Sequence, residues 1–207
     1  MPRIVHDVEE RRGFLKSLCV FAVSAAAVPV SLACSGHRAE AQSPHVSAID
    51  ITTPQEPGTR IHLSGTIFDL NGKPVPGVKM FLYHTDATGY YSHPVNNPRQ
   101  ARLHGTLWSN DMGQYSINTI KPAPYGDVAS PPPMHIHVHL QPPGFPEHWV
   151  ESFYFAGDPQ LRIDDVNRNR ELGRFANIIS LASSDAGVLK GLRDFRVDPA
   201  LAERNKI

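Results

Sequence analysis

Short runs of alternating apolar and polar residues, bounded by glycine, proline or asparagine, recur from residue 60 onward. Alternation with period two puts every second side chain on one face of a strand. In 60–69, Ile61, Leu63 and Ile67 share one parity, which predicts a half-buried strand. An Asn71-Gly72 turn and Pro74-Val75-Pro76-Gly77 lead to a second strand over 78–84, closed by a turn at 86–89. Residues 103–108 and 114–120 read as a hairpin around a turn at 110–113. The segment 121–133 is rich in proline, which fixes φ and cannot donate to a ladder, so an irregular but stiff loop is expected. In His135-Ile136-His137-Val138-His139-Leu140 three histidines alternate with three apolar residues, and one face should meet a core. Further strands are expected at 151–155 and 194–197, with one helix over 168–181. The sum is an all-β, single-domain β-sandwich of short mixed or antiparallel strands over 60–207, with long loops and one short helix.

The N-terminal part has another character. Arg11-Arg12-Gly13-Phe14-Leu15-Lys16 precedes an apolar run at 17–32, so 1–41 reads as a twin-arginine signal peptide. That run is short and Ala/Ser-rich beside the roughly 20 apolar residues of a bilayer span, so no membrane span is expected. Ala39-Glu40-Ala41 offers a small-x-small cleavage site, placing the mature start near Gln42 and the protein in the periplasm or outside the cell. Lipidation at Cys34 is the lesser alternative, since Ser31-Leu32-Ala33-Cys34 is a poor lipobox. Residues 42–59, polar and proline-punctuated, are expected to be a flexible arm.

Charge and cysteine content narrow the chemistry. The chain carries 20 basic and 20 acidic residues with no basic block, which argues against nucleic acid or an anionic membrane as partner. Its two cysteines, Cys19 and Cys34, both precede Gln42, so a metal in the mature chain must be held by imidazole, carboxylate or phenolate. His135 and His137 can reach one ion from a single strand face, whereas His139 lies about 6–7 Å beyond His137 and is expected to line the pocket or to hydrogen-bond. A cupin-type centre would need a carboxylate three or four residues after His137, and none stands there. The histidines alone leave a zinc hydrolase open. Tyr115 and Tyr154 are assigned to packing, and Tyr90 competes with Tyr91 because adjacent strand residues face opposite ways. His84, His93 and His104 are either surface groups or supports for a centre.

A set of motifs then resembles the intradiol ring-cleavage dioxygenases of the protocatechuate and catechol type. They are Gly65-Thr66-Ile67-Phe68-Asp69 with Gly72-Lys73-Pro74-Val75-Pro76-Gly77, Gly89-Tyr90-Tyr91-Ser92-His93, and Asp111-Met112-Gly113-Gln114-Tyr115. Thr119-Ile120-Lys121-Pro122 running to Tyr125, His135-Ile136-His137, and Phe153-Tyr154-Phe155-Ala156-Gly157-Asp158 follow in the family's order. The resemblance implies a β-sandwich holding one non-haem Fe(III) through Tyr91, Tyr125, His135 and His137. It implies a small catechol-like aromatic and O2 as substrates, intradiol opening to a muconate-type diacid, and often a homo-oligomer. Tyr125 would be the axial ligand that substrate displaces and Tyr91 the equatorial one that stays, making both catalytic.

Two positions depart from the family pattern. The arginine expected three residues before the first ligand histidine is Pro132, and the glutamine expected before the Tyr-Phe-x-Gly-Asp segment is Ser152. Arg99, Arg102 or Arg162 could supply positive charge from another direction. An exported metal- or ligand-binding sandwich without ring-cleavage activity is the alternative these departures favour.

Overall fold

The computed structural model describes residues 45–197 except 94–96, 127 and 185–186. The expected signal peptide and cleavage site, and both cysteines, lie outside the described residues. Those described belong to one unit, Ala41–Ile207. No helix among them is long and apolar enough to cross a membrane.

Eleven strands are described: β1 (Ala48–Asp50), β2 (Arg60–Phe68), β3 (Lys79–His84), β4 (Leu103–Trp108), β5 (Gln114–Ile120), β6 (His135–Gln141), β7 (His148–Phe155), β8 (Ile178–Ile179), β9 (Ala182–Ser183), β10 (Leu189–Leu192) and β11 (Phe195–Arg196). They form two mixed sheets: β1-β5-β2-β10-β9, with β11 also on β2, and β4-β3-β6-β7-β8. Between the sheets lie Ile61, Leu63 and Ile67 from β2, Met80 and Leu82 from β3, Ile136, Val138 and Leu140 from β6, and Phe153 and Phe155 from β7, all buried. At about 1.5–3 kcal/mol for each large apolar side chain buried, this layer is the main source of stability. Because β6 sends its even-numbered residues into that core, His135, His137 and His139 stand together on the outer face of the second sheet. The sandwich expectation is met, and β6 is central within its sheet.

Three expectations change. Strands β4 and β5 do not form a hairpin: β4 pairs with β3 and β5 with β2, so the turn carries the chain from one sheet to the other. Asn110 locks it by accepting from the backbone N–H groups of Met112 and Gln114. Both strands bury their apolar parity in the same core from opposite sides, and a parity pattern cannot distinguish that from direct pairing. The helix, α1, spans Ile163–Glu171 rather than 168–181. Asp164 and Asp165 favour its first turn, Gly173 takes a positive φ of 55° just beyond it, and Ile178–Ile179 pair with β7 as β8. Ala48–Asp50, inside the expected arm, pair in parallel with β5.

His84 crosses between the layers. Its Nδ1 donates to the Thr85 carbonyl at 2.7 Å, and its Nε2 lies 2.8 Å from the Thr119 hydroxyl on β5. Burial lowers its pKa to about 4. The unfolded chain, titrating near 6.5, takes up the proton first as pH falls. Stability from this site is therefore complete above about pH 6.5 and lost progressively down to about pH 4, on the order of 3 kcal/mol in all. In urea unfolding at pH 7 and pH 4.5, a His84→Gln protein should lose less stability between the two than the parent does. Equal losses would remove His84 as the cause.

Candidate metal centre

Four side chains singled out in the sequence meet over the outer face of β6. Tyr91 follows β3, Tyr125 comes from the proline-rich loop, and His135 and His137 are the first and third residues of β6. The Tyr91 hydroxyl lies 2.8 Å from that of Tyr125 and 2.9 Å from His137 Nε2. The Tyr125 hydroxyl is 3.1 Å from His135 Nε2, and the two Nε2 atoms are 3.0 Å apart. Four donor atoms thus close a ring.

Each side chain is aimed from behind. The carboxylate of Asp86 accepts from Thr88 N–H, Tyr90 N–H and the Thr88 hydroxyl, which shapes the turn before Tyr91. That turn is joined to the Tyr125 loop by Thr85 donating to the Ala123 carbonyl and by Gly126 N–H donating to the Gly89 carbonyl. His135 Nδ1 donates to the Pro133 carbonyl at 2.7 Å, so its Nε2 presents a lone pair. Asp158, in the Gly157-Asp158 pair after β7, accepts from Met134 N–H and so fixes the end of the proline run. Tyr83 on β3 is paired in register with His137 and stacks on its ring, with centroids 4.5 Å apart and 17° between planes.

The ring's edges fit a metal ion. Donors at right angles around an ion with bonds of about 2.0–2.1 Å stand roughly 2.9 Å apart. Burial, and secondarily the neighbouring His135, holds His137 at a pKa of about 3, and burial also lowers His135. Both imidazoles are therefore neutral near pH 7, with lone pairs to donate. Burial, then the hydrogen bond with Tyr125, pushes the Tyr91 phenol far above its ordinary value. Only a strongly polarising cation would turn it into a phenolate. Among the described residues no three His, Cys, Asp or Glu side chains gather into a metal site, so a cation here depends on the phenols. Two phenols with two imidazoles suit a hard, highly charged ion such as Fe(III) better than zinc.

Other candidates fall away from the ring. Tyr90 turns to His93, with ring centroids 4.2 Å apart, and the Tyr115 hydroxyl donates to the Arg193 carbonyl in the core. His139 Nδ1 sits 3.1 Å from Glu147, and His104 Nδ1 donates to the Ala101 carbonyl. Arg102 is held by Glu56 and Asp86, Arg99 lies in a 3-10 turn at Pro98–Gln100, and Arg162 is the residue before α1. Tyr154, assigned to packing, stands beside the centre with its ring 5.9 Å from His135. Tyr83 and Trp149 were not anticipated. Only register across the sheet puts Tyr83 on His137.

Residues 34–190 match the Dioxygenase family model. The chain is 31% identical to catechol 1,2-dioxygenase of Acinetobacter baylyi over 130 residues, 55% of this chain and 42% of that one. It is 32% identical to the protocatechuate 3,4-dioxygenase beta chain of Burkholderia cepacia over 135 residues, 58% of this chain and 57% of that one. It thus spans about half the length of these relatives. Among solved structures, the dioxygenase domain of a dioxygenase–carbohydrate-binding protein fusion from Streptomyces sp. SirexAA-E superposes with a TM-score of 0.56 at 26% identity, covering 76% of this chain and 92% of that one. Catechol 1,2-dioxygenase from Acinetobacter sp. ADP1 shares the fold, with a TM-score of 0.58 at 22% identity over 74% of this chain and 57% of that one. The match across most of the sandwich, the relatives and the shared fold agree: this chain belongs to the intradiol ring-cleavage dioxygenase family.

Proposed function

We propose that the protein is a mononuclear non-haem Fe(III) dioxygenase that opens a catechol-type ring between its two hydroxyls, inserting both atoms of O2. The observation that carries this reading is the closed ring of Tyr91, Tyr125, His135 and His137 donor atoms. Bound there, Fe(III) would supply the Lewis acidity that keeps phenols and catechol hydroxyls deprotonated at neutral pH and activates the aromatic toward O2. His135 and His137, fixed on β6 and neutral, are the permanent imidazole donors. Tyr91, only 2% exposed, would be the phenolate ligand retained with substrate bound. Tyr125, partly buried on a loop, would be the phenolic ligand that gives way to substrate, and its oxygen would accept a proton from a catechol hydroxyl. Export by the twin-arginine route, with action in the periplasm or outside the cell, is part of the same proposal.

Pro132 and Ser152 favour a second reading, a metal- or ligand-binding sandwich without turnover. A charged, preorganised donor can be worth on the order of a hundredfold in rate, and neither residue supplies one. One experiment separates the readings. Iron-loaded protein should carry about one iron per chain and a red-brown phenolate-to-iron absorption band that shifts when catechol is added without O2. Admitting air should then restore the band and release a muconate-type acid. A shifted band with no product selects the binding reading, and colourless protein without iron overturns both metal-based readings.

A further inference from the structure

Beside the centre, β7 presents two aromatic rings. Trp149 lies 5.6 Å from His137 and Tyr154 lies 5.9 Å from His135, between ring centroids. Trp149 is 58% exposed, leaving a large aromatic surface open to solvent beside these rings. Between the two in sequence stands Ser152, whose side chain hydrogen-bonds Tyr154. Beyond Tyr154 a cavity of about 620 Å³ opens between β7, β8 and α1. It shares walls with the centre: Tyr154 lines it, and so does Pro133, whose carbonyl holds His135. Leu161 adds apolar surface. The volume lies within the roughly 300–1,000 Å³ typical of small-molecule sites, more than one bare dihydroxybenzene ring occupies.

The cavity's charge is lopsided. Glu151, Asp165 and Glu171 line it against the single cation Arg168, and Arg168 is already paired with Asp165. Glu171 has no cation among the lining residues, and the cation that acts on Glu151 is Arg193, which donates to the Glu151 carbonyl and does not line the cavity. A carboxylate entering here would meet like charge, whereas an ammonium or a neutral group would not.

We propose that this cavity receives the ring substituent of a 4-substituted catechol, and that it prefers a bulky uncharged or cationic substituent over a carboxylate. The inference rests on the catechol reading of the centre. It adds a subsite built by Tyr154, Leu161 and the acidic residues of β7 and α1.

The test is calorimetric binding to iron-loaded protein without O2, using catechol, 3,4-dihydroxybenzoate, 3,4-dihydroxyphenethylamine and 4-tert-butylcatechol. The ammonium compound should bind roughly tenfold more tightly than the carboxylate, and a Glu151→Gln/Glu171→Gln protein should narrow that gap severalfold. Leu161→Trp, which fills the cavity, should lower the affinity for 4-tert-butylcatechol relative to catechol by about tenfold. The proposal is overturned if catechol binds but the carboxylate binds as tightly as the ammonium, or if Leu161→Trp leaves the ratio of the two neutral catechols unchanged. Should catechol itself give no heat and no spectral shift, the catechol reading fails and takes this subsite with it.

Discussion

A His137→Ala protein is expected to retain less than about a tenth of the iron that the parent holds after dialysis, with at least a hundredfold loss of affinity and of any turnover. Loss of an outer partner of a ligand already costs roughly 10- to 100-fold in metal affinity, and His137 would be a ligand itself. Its Nε2 is the corner of the ring shared by the Tyr91 hydroxyl and His135 Nε2. His139, the next histidine on the strand, does not belong to the ring: its Nδ1 is turned to Glu147 and its imidazole lies against Trp149, 4.0 Å away between ring centroids. His139→Ala should accordingly keep the iron and the colour. Metal analysis and the visible spectrum of the two variants decide the point. Iron held equally by His137→Ala and the parent would take His137 out of the set.

Gly89→Ala should unfold or empty the site although residue 89 touches no metal donor. Gly89 has φ 88°, and a Cβ there would come within 2.0 Å of the Pro124 carbonyl oxygen and 2.5 Å of Gly126 N. The obstacle is backbone, so it cannot swing aside. The loop that must yield is the one bearing Tyr125, and the residue that moves with Gly89 is Tyr91. Left-handed strain and a backbone clash together should cost on the order of 3 kcal/mol or more. Gly72 is the control: its φ is 79°, yet nothing beyond its chain neighbours lies within 4 Å of a Cβ there. Gly72→Ala should cost only the conformational part, about 1–2 kcal/mol, and leave the phenolate-to-iron band intact. Urea unfolding with the spectrum recorded on the same samples compares them. A Gly89→Ala protein as stable and as coloured as Gly72→Ala would mean that the two loops do not depend on each other.

What could be read in the chain depended on whether the information was local. The His135–His137 pair needs only one strand and its parity, so its face and its partner core residues Ile136, Val138 and Leu140 were readable directly. Tyr91 and Tyr125 were not readable that way. They are 34 residues apart, meet through loops, and were named only through motifs resembling a known family. Strands β8 and β9 have two residues each, too few for any period to appear, and are held by pairing to β7 and β10. Asn169 illustrates the difficulty: its side-chain amide exchanges hydrogen bonds with the backbone of Ile178, imitating a neighbouring strand from within a helix. Nothing in a linear pattern signals that substitution. The helix was misplaced for the same reason, because the apolar residues at 178–179 belong to a sheet edge.

The two-faced character of β6 also bears on how the chain finds its fold. Sliding this strand by one residue against β3 would exchange its faces, driving His135, His137 and His139 inward and Ile136, Val138 and Leu140 into water. The same slip would leave no pair of imidazoles facing the two phenols. Core and centre therefore reject the same error by independent means, one through hydrophobic burial and the other through the loss of two donors. The irregularity between β6 and β7 at Ile136/Val138 adds a fixed notch at the level of His137, against which the neighbouring strand can be aligned. Iron bound at the proposed centre would thereby certify that this strand has settled in the correct register, making metal retention a checkpoint on folding as well as a condition for chemistry.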